Sequence, residues 1–154
     1  LPQVEIGPSA ATVITGEFCG AASPARQDWE AVGIEGLIRS GRTVWPLDPT
    51  FEYGLITVEG TVRIGSNLIT VGQFAYLAPG RSELPIDAQD AATVLLIGGK
   101  PFAEQILMWW NHVARTTDEI DEAYLGWLDG QFGPVNTRLS AMPTPPPPWF
   151  TSRS

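Results

Sequence analysis

Residues 54–77 read GLITVEGTVRIGSNLITVGQFAYL. Runs of β-branched, aliphatic and aromatic residues (Gly54–Glu59, Val62–Gly65, Asn67–Val71 and Gln73–Leu77) are cut every few residues by glycine-bearing stops. Glu59-Gly60 and Gly65-Ser66-Asn67 have the residue types of tight hairpin turns. No helix of ordinary length fits between such stops. Working outward, Ala11–Glu17, Ile34–Ser40 and Thr43–Leu47 on one side, and Glu83–Asp87, Ala92–Ile97 and Gln105–Trp109 on the other, read the same way. Short strands at this spacing predict an all-β antiparallel sandwich or barrel.

One segment departs from that rhythm. Thr116-Thr117-Asp118-Glu119 has the form of a capping box. Ile120, Ala123, Tyr124, Trp127 and Leu128 then fall on one face of an α-helix of about a dozen residues. Gly130 is its expected stop. The carboxylates from Asp118 to Glu122 suit a helix start, where the dipole favours anions, and lack the glycine and oxygen spacing of a calcium loop. Beyond Pro134, Pro143-Thr144-Pro145-Pro146-Pro147-Pro148 predicts extended, polyproline-like chain ending in Trp149-Phe150. The expected division is a barrel plus helix over 1–135 and an extended tail over 136–154, with no internal repeat.

The chain has 154 residues, enough for one self-supporting core. One cysteine, Cys19, excludes an internal disulfide and any multi-cysteine metal site. One histidine, His112, excludes every site that needs two imidazoles from one chain. Net charge is −8, with all acids at or before Asp129, so the body would repel phosphate backbones and no nucleic-acid partner is expected. The longest apolar stretch, Ala91–Ile97, is far short of a membrane span, and no membrane partner is expected either. The single cysteine and the lack of a leader-like start set the expectation of a cytoplasmic protein. A first residue other than methionine points to processing, trimming or a longer parent chain.

Gly98-Gly99-Lys100-Pro101, then Met108-Trp109-Trp110-Asn111-His112-Val113-Ala114-Arg115-Thr116, the helix, and Gln131-Phe132-Gly133-Pro134 together resemble the C-terminal half of the pirin family. Thr15-Gly16-Glu17 with Ser23-Pro24, and Tyr76 to Leu84, fit the same region, so the resemblance runs from Val13 to Val135. It implies a single cupin barrel, of the double-stranded β-helix or jelly-roll type, with one C-terminal helix. Pirins are bicupins of roughly twice this length, whose N-terminal barrel carries iron on three histidines and a glutamate. Family activities include quercetin dioxygenation and, in animals, iron-dependent binding to a transcriptional regulator.

The two cupin motifs can be laid on this chain. In the first, anchored on Gly60, the glutamate position is Tyr53 and the histidine positions are Pro46 and Asp48. In the second, Gly72 and Gly80 keep their places, while Glu83 stands for the histidine and Asp87 for the asparagine. The turns survive and the ligands do not. No cofactor is therefore expected here, iron belonging only to a separate N-terminal-type barrel. Glu52, Tyr53, Glu83 and Asp87 are the candidate barrel-pocket residues. The bland alternative puts Glu52 and Asp87 at exposed strand ends and Glu83 against turn backbone. Cys19 reads as a small core residue, and His112 as a packed or surface side chain. Of Trp109 and Trp110, adjacent in a strand, one should face the core and the other the helix or an interface. With Trp149 and Phe150 they are the candidate partner-binding residues, the tail docking on a second barrel or in a groove for proline-rich chain. The expected role is a metal-free structural or binding domain that self-associates or pairs with a second cupin barrel. A quercetin 2,3-dioxygenase-like oxygenase and a carrier of a small aromatic ligand are the alternatives.

Overall fold

The computed structural model describes residues 1–140 and 142–151, so the end of the expected tail lies outside the described residues. The chain divides into two compact units, Leu1–Pro101 and Phe102–Ser154.

The first unit is built of β1 (Gln3–Ile6), β2 (Ser9–Thr15), β3 (Glu17–Phe18), β4 (Ala21–Ala22), β5 (Ala31–Ile38), β6 (Gly41–Pro46), β7 (Glu52–Glu59), β8 (Thr61–Ile64), β9 (Asn67–Thr70), β10 (Phe74–Leu77), β11 (Glu83–Ala88) and β12 (Ala92–Gly99). Six strands make one sheet in the order β1-β2-β5-β12-β7-β10, and four make another in the order β6-β11-β8-β9. From β5 to β8 each strand crosses to the other sheet, and the same happens from β9 to β12. This alternation is the jelly-roll winding of a cupin fold. The hydrogen bonds run as two open sheets rather than around a closed cylinder.

The winding corrects one expected turn. Glu59-Gly60 is a corner between sheets, not a hairpin, because β7 pairs with β10 and β12 while β8 pairs with β9 and β11. Gly60 has φ +73°, and a Cβ there would lie 2.7 Å from the Ala91 carbonyl oxygen, so the corner needs glycine. Gly65-Ser66 does close a hairpin, with Ile64 opposite Asn67.

Alternate residues of both sheets face inward to one core. Trp45, Ile34, Ile38, Leu55, Leu84, Ile86 and Leu96 are its largest fully buried side chains in this unit. The Trp45 ring lies over Gly36, where a Cβ would come within 2.1 Å of it. Its Nε1–H donates to Ser9 Oγ at 3.0 Å, and Ser9 in turn donates to the Ile6 carbonyl at 2.7 Å. Thr43 Oγ1, 2.9 Å from Ser9 Oγ, completes a buried polar cluster whose members satisfy one another.

The second unit holds β13 (Leu107–Trp109), β14 (His112–Ala114) and α1 (Thr117–Leu128). Among the described residues the two strands pair only with each other. Trp110 sits in their two-residue turn at φ +53°, so the tryptophans do not alternate along one strand as the sequence suggested. The helix starts as expected. Thr116 accepts from the Glu119 N–H at 3.2 Å, and Glu119 Oε2 accepts from the Thr116 N–H at 3.3 Å. Ile120 and Tyr124 are buried on its apolar face. Gly130 follows the cap residue Asp129 at φ +72°.

Candidate functional site

The fold gathers the four ligand positions of the motifs, Pro46, Asp48, Tyr53 and Glu83, at one end of the two sheets. Pro46 closes β6 directly opposite Glu83, the first residue of β11. Leu47 N–H donates to the Ser82 carbonyl at 2.9 Å, which ties the two loops together. Tyr53, at the start of β7, turns inward and is 5% exposed. Its hydroxyl accepts from the Asp48 N–H at 2.8 Å and donates back to the Asp48 carbonyl at 3.4 Å. A phenol thus occupies the carboxylate position and closes on the backbone of the neighbouring histidine position. Its ring rests on Gly98, where a Cβ would lie 2.2 Å away.

Of the four, only Tyr53 turns a donor atom inward, and its hydroxyl is engaged with the Asp48 backbone. Proline has no donor atom. The Asp48 carboxylate is exposed and accepts from Thr50, at 2.8 Å from N–H and 2.7 Å from the hydroxyl. Those bonds hold its carboxyl below the ordinary carboxylate range. Burial pushes the Tyr53 phenol above its usual value. Glu83 is exposed. Among the described residues, no group of three or more histidines, cysteines, aspartates or glutamates could hold a metal ion. A non-haem iron centre asks for imidazole and carboxylate ligands around open positions, and this donor set does not fit it.

The candidate pocket residues do not share a pocket. Only Tyr53 faces the core. Glu52 lies on the outer face of the six-stranded sheet, accepting from the Tyr76 hydroxyl at 2.8 Å, a bond that raises the Tyr76 phenol. Asp87 lies on the outer face of the other sheet, with Arg42 and Arg63 on the flanking strands and Arg42 Nη1 3.9 Å away. An open depression of about 780 Å³ adjoins these three residues. A smaller cleft of about 280 Å³ opens beside Tyr53, lined by Asp48 and Phe51 and by Glu17, Gln27 and Glu30. Cys19 is not a core residue: it is exposed, at φ +50° in the turn between β3 and β4.

The outer face of the six-stranded sheet is a feature that hairpin and motif arguments passed over. Phe74, Ile56 and Leu95 lie in one cross-strand row, and Tyr76, Gly54 and Ile97 in the next. Phe74, Tyr76 and Ile97 are 57%, 59% and 51% exposed. The Phe74 ring leans over Gly54, within 2.3 Å of where a Cβ would stand. The signal was present in runs such as Val94-Leu95-Leu96-Ile97 and Leu55-Ile56, apolar on both faces. A strand covered on both sides reads that way.

The candidate partner-binding aromatics engage one another within the second unit. Trp109 Nε1–H donates to the Pro145 carbonyl at 3.1 Å, and its ring meets Trp149 edge-on at 5.9 Å. Trp110 packs against His112 at 5.8 Å and Trp127 at 5.5 Å. Phe150 stands edge-on to Tyr124 at 5.1 Å, and Trp149 Nε1–H donates to Asp121 at 3.0 Å. His112 is buried, and among the described residues its Nε2, like Thr144 Oγ1, has no hydrogen-bond partner.

Comparison with known proteins places this geometry. The pirin C-terminal cupin domain matches residues 37–133. A Pseudomonas aeruginosa protein carrying the name "Putative quercetin 2,3-dioxygenase PA1205" is 37% identical over 145 residues, covering 90% of this chain and 45% of its own. A pirin-like protein of Caulobacter vibrioides is 28% identical over 131 residues, covering 85% of this chain and 45% of its own. The crystal structure of a quercetin 2,3-dioxygenase from Acinetobacter baumannii superimposes with a TM-score of 0.85 at 32% identity, over 100% of this chain and 52% of that one. The chain thus spans about half the length of the curated relatives it matches. No helix among the described residues is long and apolar enough to cross a membrane.

Proposed function

The chain belongs to the pirin family, as a cupin domain of the C-terminal type, and on that premise we propose that it works as the metal-free half of a two-barrel unit, pairing with a second cupin barrel instead of holding iron itself. One observation carries the proposal. The position that a cupin gives to a metal-binding glutamate is filled by Tyr53, bonded to the backbone of Asp48 at 2.8 Å. Placing a cation there would break that bond and offer the ion a neutral phenol. The exposed Phe74, Tyr76 and Ile97 support the pairing, since the outer face they line is apolar enough to cover and be covered. The second barrel is the one that relatives of twice this length have room for, or a second copy of this chain. The cytoplasmic location expected from one unpaired thiol is part of the same proposal.

Quercetin dioxygenation is the second reading, favoured by the names of the relatives. It belongs in this proposal to an iron-bearing barrel paired with this one, and not to a pair of copies of this chain. A small-molecule carrier is supported least, because the cleft beside Tyr53, about 280 Å³, is at the small end of typical ligand pockets and is lined by the exposed carboxylate residues Glu17, Glu30 and Asp48. The test is direct. Purified chain is loaded with iron, dialysed, and measured for bound metal and for oxygen uptake with quercetin. The expected result is substoichiometric metal and no uptake above buffer. One iron per chain, with chelator-sensitive turnover, would overturn the proposal.

A further inference from the structure

The arm Pro143-Thr144-Pro145-Pro146-Pro147-Pro148-Trp149-Phe150 is held by the rest of its own unit. Thr144 and Pro147, three residues apart, are buried, while Pro145, Pro146 and Pro148 are exposed. That is the period of a polyproline helix showing one face to a surface. The surface supplies what receptors of such helices use. An indole N–H, from Trp109, donates to a proline carbonyl at 3.1 Å, and the same Trp109 ring meets the arm's own Trp149 edge-on. Past Pro147 the chain turns, with the Phe150 N–H donating to the Pro147 carbonyl at 2.9 Å, and so delivers Trp149 to Asp121 and Phe150 to Tyr124.

We infer that the face formed by the β13–β14 hairpin and α1 is a polyproline receptor. The arm is its resident ligand, and the arm of a second copy of this chain competes for the same seat. Proline-rich chain loses little conformational freedom on docking, so few contacts suffice to hold it. Few contacts also let it go: among the described residues it is anchored by one indole hydrogen bond, one carboxylate hydrogen bond, two edge-on ring pairs and the burial of Thr144 and Pro147. Residues 131–140 are all exposed and carry no helix or strand. Those ten residues, drawn out, reach about 33–36 Å, enough to place the arm on a neighbouring molecule. Tethering gives the resident arm an effective concentration on the order of millimolar, which a competitor must match.

The probe is a synthetic peptide of residues 142–151, which stands in for the arm of another copy. It is titrated against full-length protein and against full-length W149A/F150A, whose own arm has lost its ring anchors while the receptor is intact. The expected result is binding at least tenfold tighter to the variant, because the competitor inside the molecule is gone. Adding Trp109→Phe, which keeps a ring and removes the N–H, should weaken the peptide by about fivefold. Wild-type protein gives an independent readout: millimolar peptide should move the Trp109 indole N–H resonance, and a peptide with alanine at positions 145–148 should not. Equal affinity for wild type and W149A/F150A, or equal binding of the alanine-substituted peptide, would overturn the inference.

Discussion

In the two-sheet unit the indole of Trp45 is fully buried, donates to Ser9 and covers Gly36. In the hairpin–helix unit Trp109, Trp110 and Trp127 stay partly exposed and meet other rings edge-on. Ile120, Tyr124 and Pro147 are the buried apolar side chains among that unit's described residues. Two facing sheets make an interior wide enough to take an indole out of water entirely. A hairpin, one helix and an arm do not, and they cohere instead through ring pairs and single hydrogen bonds. The first unit is therefore a scaffold with little spare chemistry, and the second a surface whose parts can be exchanged.

The largest effect should come from emptying the scaffold. Trp45→Ala removes the biggest core side chain and takes from Ser9 the indole N–H that it accepts. It should cost about 3–5 kcal/mol of folding stability, read from urea unfolding. Trp109→Ala, in the other unit, should cost less, since its ring is half-exposed. Equal losses would break the contrast, because the second unit would then be packed as tightly as the first.

What was legible follows the same line. Strand alternation and glycine stops revealed the two-sheet unit because burial there follows a period of two along strands such as β11, as in Leu84-Pro85-Ile86-Asp87-Ala88. The capping box was legible because Thr116 and Glu119 bond to each other's backbone. Glu59-Gly60 misled because a corner between sheets and a hairpin ask for the same glycine. Which sheet receives the next strand is decided by long-range pairing with β9, β11 and β12. The arm's seat was hidden for a like reason: Trp109 and Pro145 are 36 residues apart, and no local pattern joins them. At the motif positions the sequence disclosed which ligands were missing. It did not disclose that Tyr53 spans to Asp48.

A middle-sized effect tests that bond. Tyr53→Phe keeps the ring on Gly98 and leaves the Asp48 N–H without its acceptor, at a cost of about 1 kcal/mol. The same variant has a pH signature. Burial holds the folded-state phenol above its unfolded value of about 10, so the neutral phenol's contribution is complete below that pH and is lost as pH climbs through the raised value. Stability of wild type should therefore fall on that alkaline limb, and Tyr53→Phe should flatten part of the fall. Tyr76 is raised in the same direction by Glu52 but is exposed, so Tyr76→Phe should flatten it less. An unchanged limb in Tyr53→Phe would mean that water reaches the phenol, and the filled motif position would lose its force.

The smallest effect is the most local. Thr116→Ala deletes the side chain that caps Glu119 and should cost about 1 kcal/mol of helix stability. Glu119 still accepts from the Arg115 N–H at 2.7 Å, so the helix start should fray rather than unwind. Amide hydrogen exchange is the readout. Protection should fall at residues 118–120 and stay level in β5 and β12, whose amides are locked between neighbouring strands. A helix held by few buried side chains has little to absorb the loss of a cap, and so the loss should be visible there at full size. If exchange instead quickens equally in β5 and β12, the two units unfold as one body. The helix would then draw on the stability of the sheets, and the exchangeable surface would have to be explained without a separately labile unit.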